Sequence, residues 1–499
     1  MGIISNIYLL IFLPLISSLF CQIFSKKFTP FFIATATCFA SLLLSVIISF
    51  DVLSYEIISN DFNLSPLSIA LEFKLDVLGA IFLPVVIFVK MAILLFYRSD
   101  IKEALEEKYH SLFYSIFLVN LFGLMGIFTT DNILNLFLFF EIYALSFFAI
   151  TSISRDKDLL KLSFSYFCLN AISSLLILFC FFAIYLSFDA IYFSNIIENI
   201  NLVSSSYSLF LAAIFITLVI TFLIKFFPFW IYFKKLKNVN LIANFLTAES
   251  LFIKANIGLF LAIKFIYLLF GSTLIFSTLI VKPILITLSL MIILYSLIKI
   301  YKQRHLKVVA AYLCLNNLGF MLAAMSLNTI ESLQAFFFYL INFNLLNLFI
   351  FLFASFLKRC FSTSSIDKIF LIGQESFLLL PLKLLIIFIA AAPFSFLFYA
   401  NWHLSYVLFA YNYESLIFVP ILLSNFIYVI VAIKLASSSF SIEKDSTGVE
   451  FEALGKKRTI LYLLFFSSFV ALIYSMIILS GLLNEISLKF ASYLLLNTL

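Results

Sequence analysis

Between Ile133 and Ile150 the chain carries one charged residue, Glu141. It lies in an apolar run long enough to cross a bilayer, for which about 20 residues suffice. A carboxylate at that depth costs ~2.5–3.5 kcal/mol on insertion scales. Such an acid has a partner, a wet cavity or a proton to move; the plainer reading is an acid hydrogen-bonded to Ser146 or Tyr143. Lys254, in AESLFIKANIGLFLAIKF, stands near mid-span among apolar and small residues. Burial disfavours its charged form and a nearby acid restores it, so moving a counter-charge would switch its protonation. That is what a proton relay requires; snorkelling is the alternative. Lys225 precedes Pro228 by three residues, and proline frees a backbone carbonyl, as in the broken helices at transporter ion sites. A snorkelling lysine in a kinked helix is the other reading.

The weaker candidates are Glu249, Lys282 and Lys383. Glu249 is five residues before Lys254, which on an α-helix sets them about 140° apart and makes them poor direct partners. Lys282 precedes Pro283 inside its span. Lys383 stands near a span start, and Lys90 and Lys264 near span ends, where snorkelling suffices.

These residues need membrane helices to hold them. Of 499 residues, 64% are hydrophobic and 11% charged, with mean hydropathy +1.17; a soluble chain would be roughly a quarter charged. The apolar runs are continuous rather than alternating, which excludes a barrel. The fold class expected is an all-α polytopic membrane protein of about fourteen spans: 6–24, 29–50, 76–97, 110–128, 131–153, 162–188, 207–231, 241–269, 274–298, 308–327, 332–357, 378–400, 414–433 and 459–481. Loops after odd-numbered spans hold most of the Lys and Arg, from Lys26 and Lys27 to Lys456, Lys457 and Arg458. Those after even-numbered spans, with the tail, hold only Lys74 and Lys489. Positive charge stays on the cytoplasmic side, so both termini are expected on the other side. No basic residue precedes the first apolar run, which reads as a retained helix rather than a cleaved signal. The segment from Asp51 to Asp76 is expected outside, and Ser437 to Thr447 in a cytoplasmic loop. The six cysteines are scattered without a CxxC, the three histidines do not cluster, and no nucleotide fingerprint occurs. No cofactor, metal or nucleic acid is therefore expected.

The stretch TTDNILNLFLFFEIYALSFFAITS resembles the fifth span of the antiporter-like subunits shared by respiratory complex I and Mrp-type cation/proton antiporters. Its D-x-x-x-N-x-F-x-F-F-E wording is similar to the D-type chains of the Mrp branch. HLKVVAAYLCLNNLGFML resembles the family's D-L-K-x-x-x-A-Y pattern, with Lys307, Ala311, Tyr312 and Gly319 in register and His305 replacing the acid. FIKANIGLFL resembles M-x-K-x-G-x-Y and sets Lys254 on its central lysine. The resemblance covers roughly residues 70 to 435. It implies two inverted five-helix repeats, each with a broken helix, and a hydrated charge relay in which Glu141 pairs with the first broken-helix lysine and Lys254 passes the proton.

Besides His305, the sequence departs from the family in the W-L-P after the first broken helix, which reads WIYF here, and at three further places. The family register of the broken-helix lysine falls on Leu223, two residues or ~200° from Lys225. Phe343 and Asn347, in FNLLN, replace H-x-x-x-K. Asn401 replaces the charged residue ending the second broken helix, and Asn carries no proton at neutral pH.

The division expected is N-terminal helices in 1–109, a first repeat in 110–269, a second in 274–436, and a cytoplasmic loop, last helix and tail in 437–499. The function expected is a proton-translocating subunit of an Mrp-like Na⁺ or K⁺/proton antiporter in a bacterial inner membrane, partnered by other hydrophobic subunits. The alternatives are a proton-pumping subunit of NADH:quinone oxidoreductase, which itself would do no redox chemistry, and a structural subunit without a conducting relay.

Overall fold

The computed structural model describes residues 4–24, 29–55, 58–62, 71–153, 157–202, 208–226, 241–269, 281–361, 366, 379–389, 395–410, 415–440 and 482–496. Apart from one short hairpin these are almost entirely helical. Among the described residues, ten helices are long and apolar enough to cross a membrane. The protein is a polytopic all-α membrane protein. The large side chains left exposed are mostly Leu, Ile and Phe, as befits a surface solvated by lipid rather than water.

The chain divides into two compact units. The first comprises Met1–Tyr232, Val239–Thr278 and Leu496–Leu499, and the second Phe233–Asn238 and Leu279–Leu495. Unit 1 contains α1 (Ile4–Ile23), α2 (Thr29–Tyr55), a hairpin of β1 (Ile58–Phe62) and β2 (Leu71–Leu75), α3 (Val77–Phe96), α4 (Arg98–Ala104), α5 (His110–Thr129), α6 (Ile133–Ser152), α7 (Lys157–Phe188), α8 (Phe193–Leu202) and α9 (Ser208–Phe226). Its last helix, α10, covers 241–269 and is interrupted by π-turns at Glu249–Ile253 and Lys264–Leu269.

Within the segment expected outside, from Asp51 to Asp76, residues 51–55 end α2, and β1 and β2 pair antiparallel as the hairpin, with Ile58 opposite Leu75. Its anchor is Phe73, 2% exposed, whose ring meets Tyr8, Phe12 and Phe139. Asp76 then caps α3 by accepting from the Gly79 N–H at 2.7 Å.

Unit 2 contains α11 (Val281–Lys302), α12 (Leu306–Leu327), α13 (330–361, with a π-turn at Phe343–Asn347), α14 (Leu379–Ile389), α15 (Phe396–Ala410), α16 (Ser415–Phe440) and α17 (Leu482–Leu496). The expected span 378–400 is two helices, α14 and α15, and the second continues to Ala410. The segment expected as a C-terminal tail forms α17, tied to α13 by Gln334 donating to Ser487 at 3.1 Å. The expected span 459–481 lies outside the described residues, as does Pro228.

Candidate functional site

Helix α6 is fixed before its acid is placed. Asn132 caps it, accepting from the Leu134 and Asn135 N–H groups at 2.8 and 3.4 Å. Just ahead of the cap, Asp131 accepts from Lys74 of β2 at 2.9 Å. On one flank α5 comes close enough that a Cβ added at Gly123 would stand 2.9 Å from the Tyr143 backbone nitrogen, and one at Gly126 would overlap the Phe139 ring. Small residues at such positions let two membrane helices touch backbone to backbone.

Glu141, two turns into α6, meets α7 and α9. Its Oε1 accepts from Lys225 Nζ at 3.0 Å and from Ser174 Oγ at 2.5 Å, and Lys225 Nζ also donates to Ser174 at 2.7 Å. The Lys225 side chain is 2% exposed and that of Glu141 28%. Acid, base and bridging hydroxyl form a closed triangle with one open side at the carboxylate. The ~200° register offset does not turn Lys225 away. That offset was counted from the family's lysine-to-proline spacing, whereas the facing here is decided by how α9 packs on α7 and α10.

Lys254 is fully buried in α10. Its Nζ lies 3.5 Å from the centroid of Phe147 and 3.4 Å from that of Tyr166, and it makes no hydrogen bond to a described residue. Two aromatic faces attract an ammonium, by about 2 kcal/mol or more when desolvated, but they neither accept nor supply a proton. Lys254 is thus held between two aromatic rings with no hydrogen-bond acceptor among the described residues.

Lys90 and Lys264 correct the snorkelling expectation: they are 0% and 2% exposed. Each turns inward because a carboxylate from a distant part of the chain receives it. Lys90 Nζ donates to Glu249 Oε1 at 3.1 Å and to Asn120 Oδ1 at 2.5 Å. Lys264 Nζ donates to the Thr130 carbonyl at 2.9 Å and stands 4.0 Å from Asp76 Oδ2. Nothing within either lysine's own span announces these partners, which lie up to 159 residues away for Lys90.

In unit 2 the candidates do not come together. Lys282 is the second residue of α11, half-buried, with Pro283 in the first turn, where its missing N–H costs nothing. Lys383 is exposed on α14. Asn347 ends the π-turn of α13, buried beside the Cys314 thiol. Asn401 on α15 accepts from the Tyr339 hydroxyl and donates to Asn425 Oδ1 at 2.6 Å. A second buried cluster, which sequence reasoning missed, joins three helices. Ser296 donates to Asn316 at 3.0 Å, Asn316 to the Tyr428 hydroxyl at 3.2 Å, and Tyr428 to Asn317 at 3.1 Å. Paired asparagines inside an apolar span were its only sequence signal. Lys307, expected in a loop, is buried with its Nζ 5.1 Å from the Phe351 ring.

With these contacts in view, the comparison with known proteins is direct. The family model for the NADH:quinone oxidoreductase/Mrp antiporter transmembrane region matches residues 130–427. The chain belongs to this family. The NADH:quinone oxidoreductase/Mrp antiporter match thus begins just before α6 and ends within α16. Among relatives, a Staphylococcus aureus (strain MRSA252) chain named as antiporter subunit mnhD2 is 24% identical over 309 residues, 62% of this chain and 59% of that one. Its Staphylococcus haemolyticus (strain JCSC1435) counterpart is 23% identical over 339 residues, 67% and 66% of the two chains. The chain therefore spans about three-fifths of the length of the first of these relatives. In fold it is similar to a chain of the Mrp complex from Dietzia sp. DQ12-45-1b, with TM-score 0.78, 14% identity and 97% of each chain covered. It is also similar to a chain of the membrane-bound sulfane sulfur reductase, an archaeal respiratory membrane complex, with TM-score 0.73, 19% identity and 99% of each covered.

Proposed function

We propose that this family member is a proton-translocating subunit of an Mrp-like monovalent cation/proton antiporter complex in a bacterial inner membrane, working beside other hydrophobic subunits. The relay is Glu141, Lys225 and Lys254. What carries this reading is the part-buried Glu141–Lys225–Ser174 triangle together with Lys254, whose ammonium has aromatic faces but no acceptor among the described residues. When Lys225 swings off Glu141, the carboxylate loses its counter-charge and takes up a proton. When it returns, the proton is released toward Lys254. The names of the staphylococcal relatives support the antiporter assignment. The loop charges support both termini outside the cytoplasm, and the two repeats are assigned to 110–269 and 274–436.

Asn347 and Asn401, where the family carries charged residues, favour a second reading, a structural subunit whose relay does not conduct. Inverted membrane vesicles containing the protein and its native partners separate the readings. Dye-reported proton flux is followed after adding Na⁺, K⁺ or NADH, for wild type, Glu141→Gln and Lys254→Ala. Flux triggered by a cation and lost in both variants is the expected result. Flux only with NADH moves the protein to the oxidoreductase, and an assembled protein without any flux is structural.

A further inference from the structure

The Lys90–Glu249 pair takes no part in the relay just described. Both side chains are almost wholly buried, 0% and 2% exposed. Burying two charges is expensive, and a well-packed apolar pair would often serve stability as well. The pair is also wired to the helix that bears Glu141. Asn120, which accepts from Lys90, donates to the Tyr143 carbonyl at 2.9 Å and to Ser146 Oγ at 2.8 Å.

The backbone around Glu249 is altered toward Lys254. On an α-helix the two would face about 140° apart. Instead a π-turn spans Glu249–Ile253, and the Lys254 N–H donates to the Glu249 carbonyl. A bond closed over five residues makes the turn wider than an α-helical one, so the angle between the two positions is smaller than 140°. Turns of this kind are rare and concentrate at functional sites. Lys254 Nζ has no hydrogen-bond partner among the described residues, and Glu249 is the carboxylate whose charge acts on it. Lys90 from α3 contacts Glu249, with the neutral Asn120 from α5 joined through Lys90; Lys254 from its own helix and the Cys38 thiol from α2 lie within electrostatic reach.

We propose that Glu249 is a further proton-carrying residue that exchanges a proton with Lys254, with Lys90 as its fixed counter-charge. In the step, a proton leaves the Lys254 ammonium and bonds to a Glu249 carboxylate oxygen. This leaves a neutral amine and a neutral carboxylic acid beside an ammonium on Lys90. The net charge of the three groups is +1 before and after. The inference rests on the proton-relay reading of unit 1 and adds a second station on the α3 side of Lys254.

The test compares wild type, Glu249→Gln, Glu249→Asp and the doubly neutral Lys90→Met/Glu249→Gln in the same vesicles, with Glu141→Gln alongside. The double variant removes both charges together and so leaves no orphaned ion. Its cation-driven flux is expected to fall on the order of 10²-fold, the scale of a lost acid–base group, with assembly unchanged. Glu249→Asp, which keeps the carboxylate, is expected to recover part of the flux. Infrared difference spectra of the purified wild-type protein across a pH titration are expected to contain a protonated-carboxyl band that is missing from Glu249→Gln. Wild-type flux in the double variant, with Glu141→Gln inactive, overturns this inference and spares the relay reading. Wild-type flux in Glu141→Gln overturns the relay reading instead. If a variant does not assemble, the infrared band decides, and its absence from the wild-type protein overturns the inference.

Discussion

Ser174 is the residue that makes the Glu141–Lys225 pair more than an ion pair. Its hydroxyl donates to the acid at 2.5 Å and accepts from the base at 2.7 Å, so it keeps both in register whichever carries the proton. Hydrogen bonds to charged groups contribute roughly 1.5–3 kcal/mol each. Ser174→Ala is expected to lower cation-driven flux by about tenfold in vesicles while leaving protein levels intact, and unchanged flux would mean that the ion pair positions itself. The residue scale is also where sequence reading divides most sharply. Glu141, Lys225 and Lys254 are conspicuous because charge inside an apolar run is costly. Ser174 is invisible, since membrane helices are full of serines that bond only their own backbone, as Ser173 and Ser163 do here. Lys90 and Lys264 read as snorkelling residues because the deciding fact, a carboxylate from a distant helix, is tertiary.

At the scale of elements, α6 owes its position to α5. The Tyr143 backbone nitrogen lies where a side chain at Gly123 would have to stand, and Tyr143 is two residues from Glu141. Gly123→Leu forces the helices apart by more than flexible side chains absorb, and overpacking of this kind costs about 1–3 kcal/mol. A lower midpoint of thermal unfolding in detergent is expected, together with loss of flux, because Glu141 is carried away from Lys225 and Ser174. A variant that unfolds earlier yet conducts normally would show that the triangle tolerates the shift. The long apolar helices were legible as runs with soft ends, unlike α4, α8 and α17, which are short or amphipathic. The π-turns in α10 and α13 were not. An α-helix with one extra residue has no compositional mark, and the 140° argument that separated Glu249 from Lys254 fails at that point. The hairpin was equally hidden, since its strands are five residues each and draw their stability from Phe73 packing on helices.

At the scale of the molecule, the ion pairs built on a buried lysine, Lys90–Glu249, Lys225–Glu141 and Lys264–Asp76, all belong to unit 1. The polar clusters inside unit 2 are built from Asn, Ser and Tyr. Such groups satisfy one another and fix helix packing, but amides do not titrate at neutral pH. If protons move through unit 1, the Asn401 cluster is structural. Asn401→Leu then removes the acceptor for the Tyr339 hydroxyl and the donor to Asn425. Leaving those partners unsatisfied costs about 1–3 kcal/mol each. The variant should unfold several degrees earlier in detergent and yet, once assembled in vesicles, keep flux within about twofold of wild type, since less than about 0.5 kcal/mol would have been taken from the transport step. Loss of flux in a normally assembled Asn401→Leu protein would be the opposite finding. It would mean that the hydroxyl of Tyr339 and the amides around it guide a water-borne proton through unit 2.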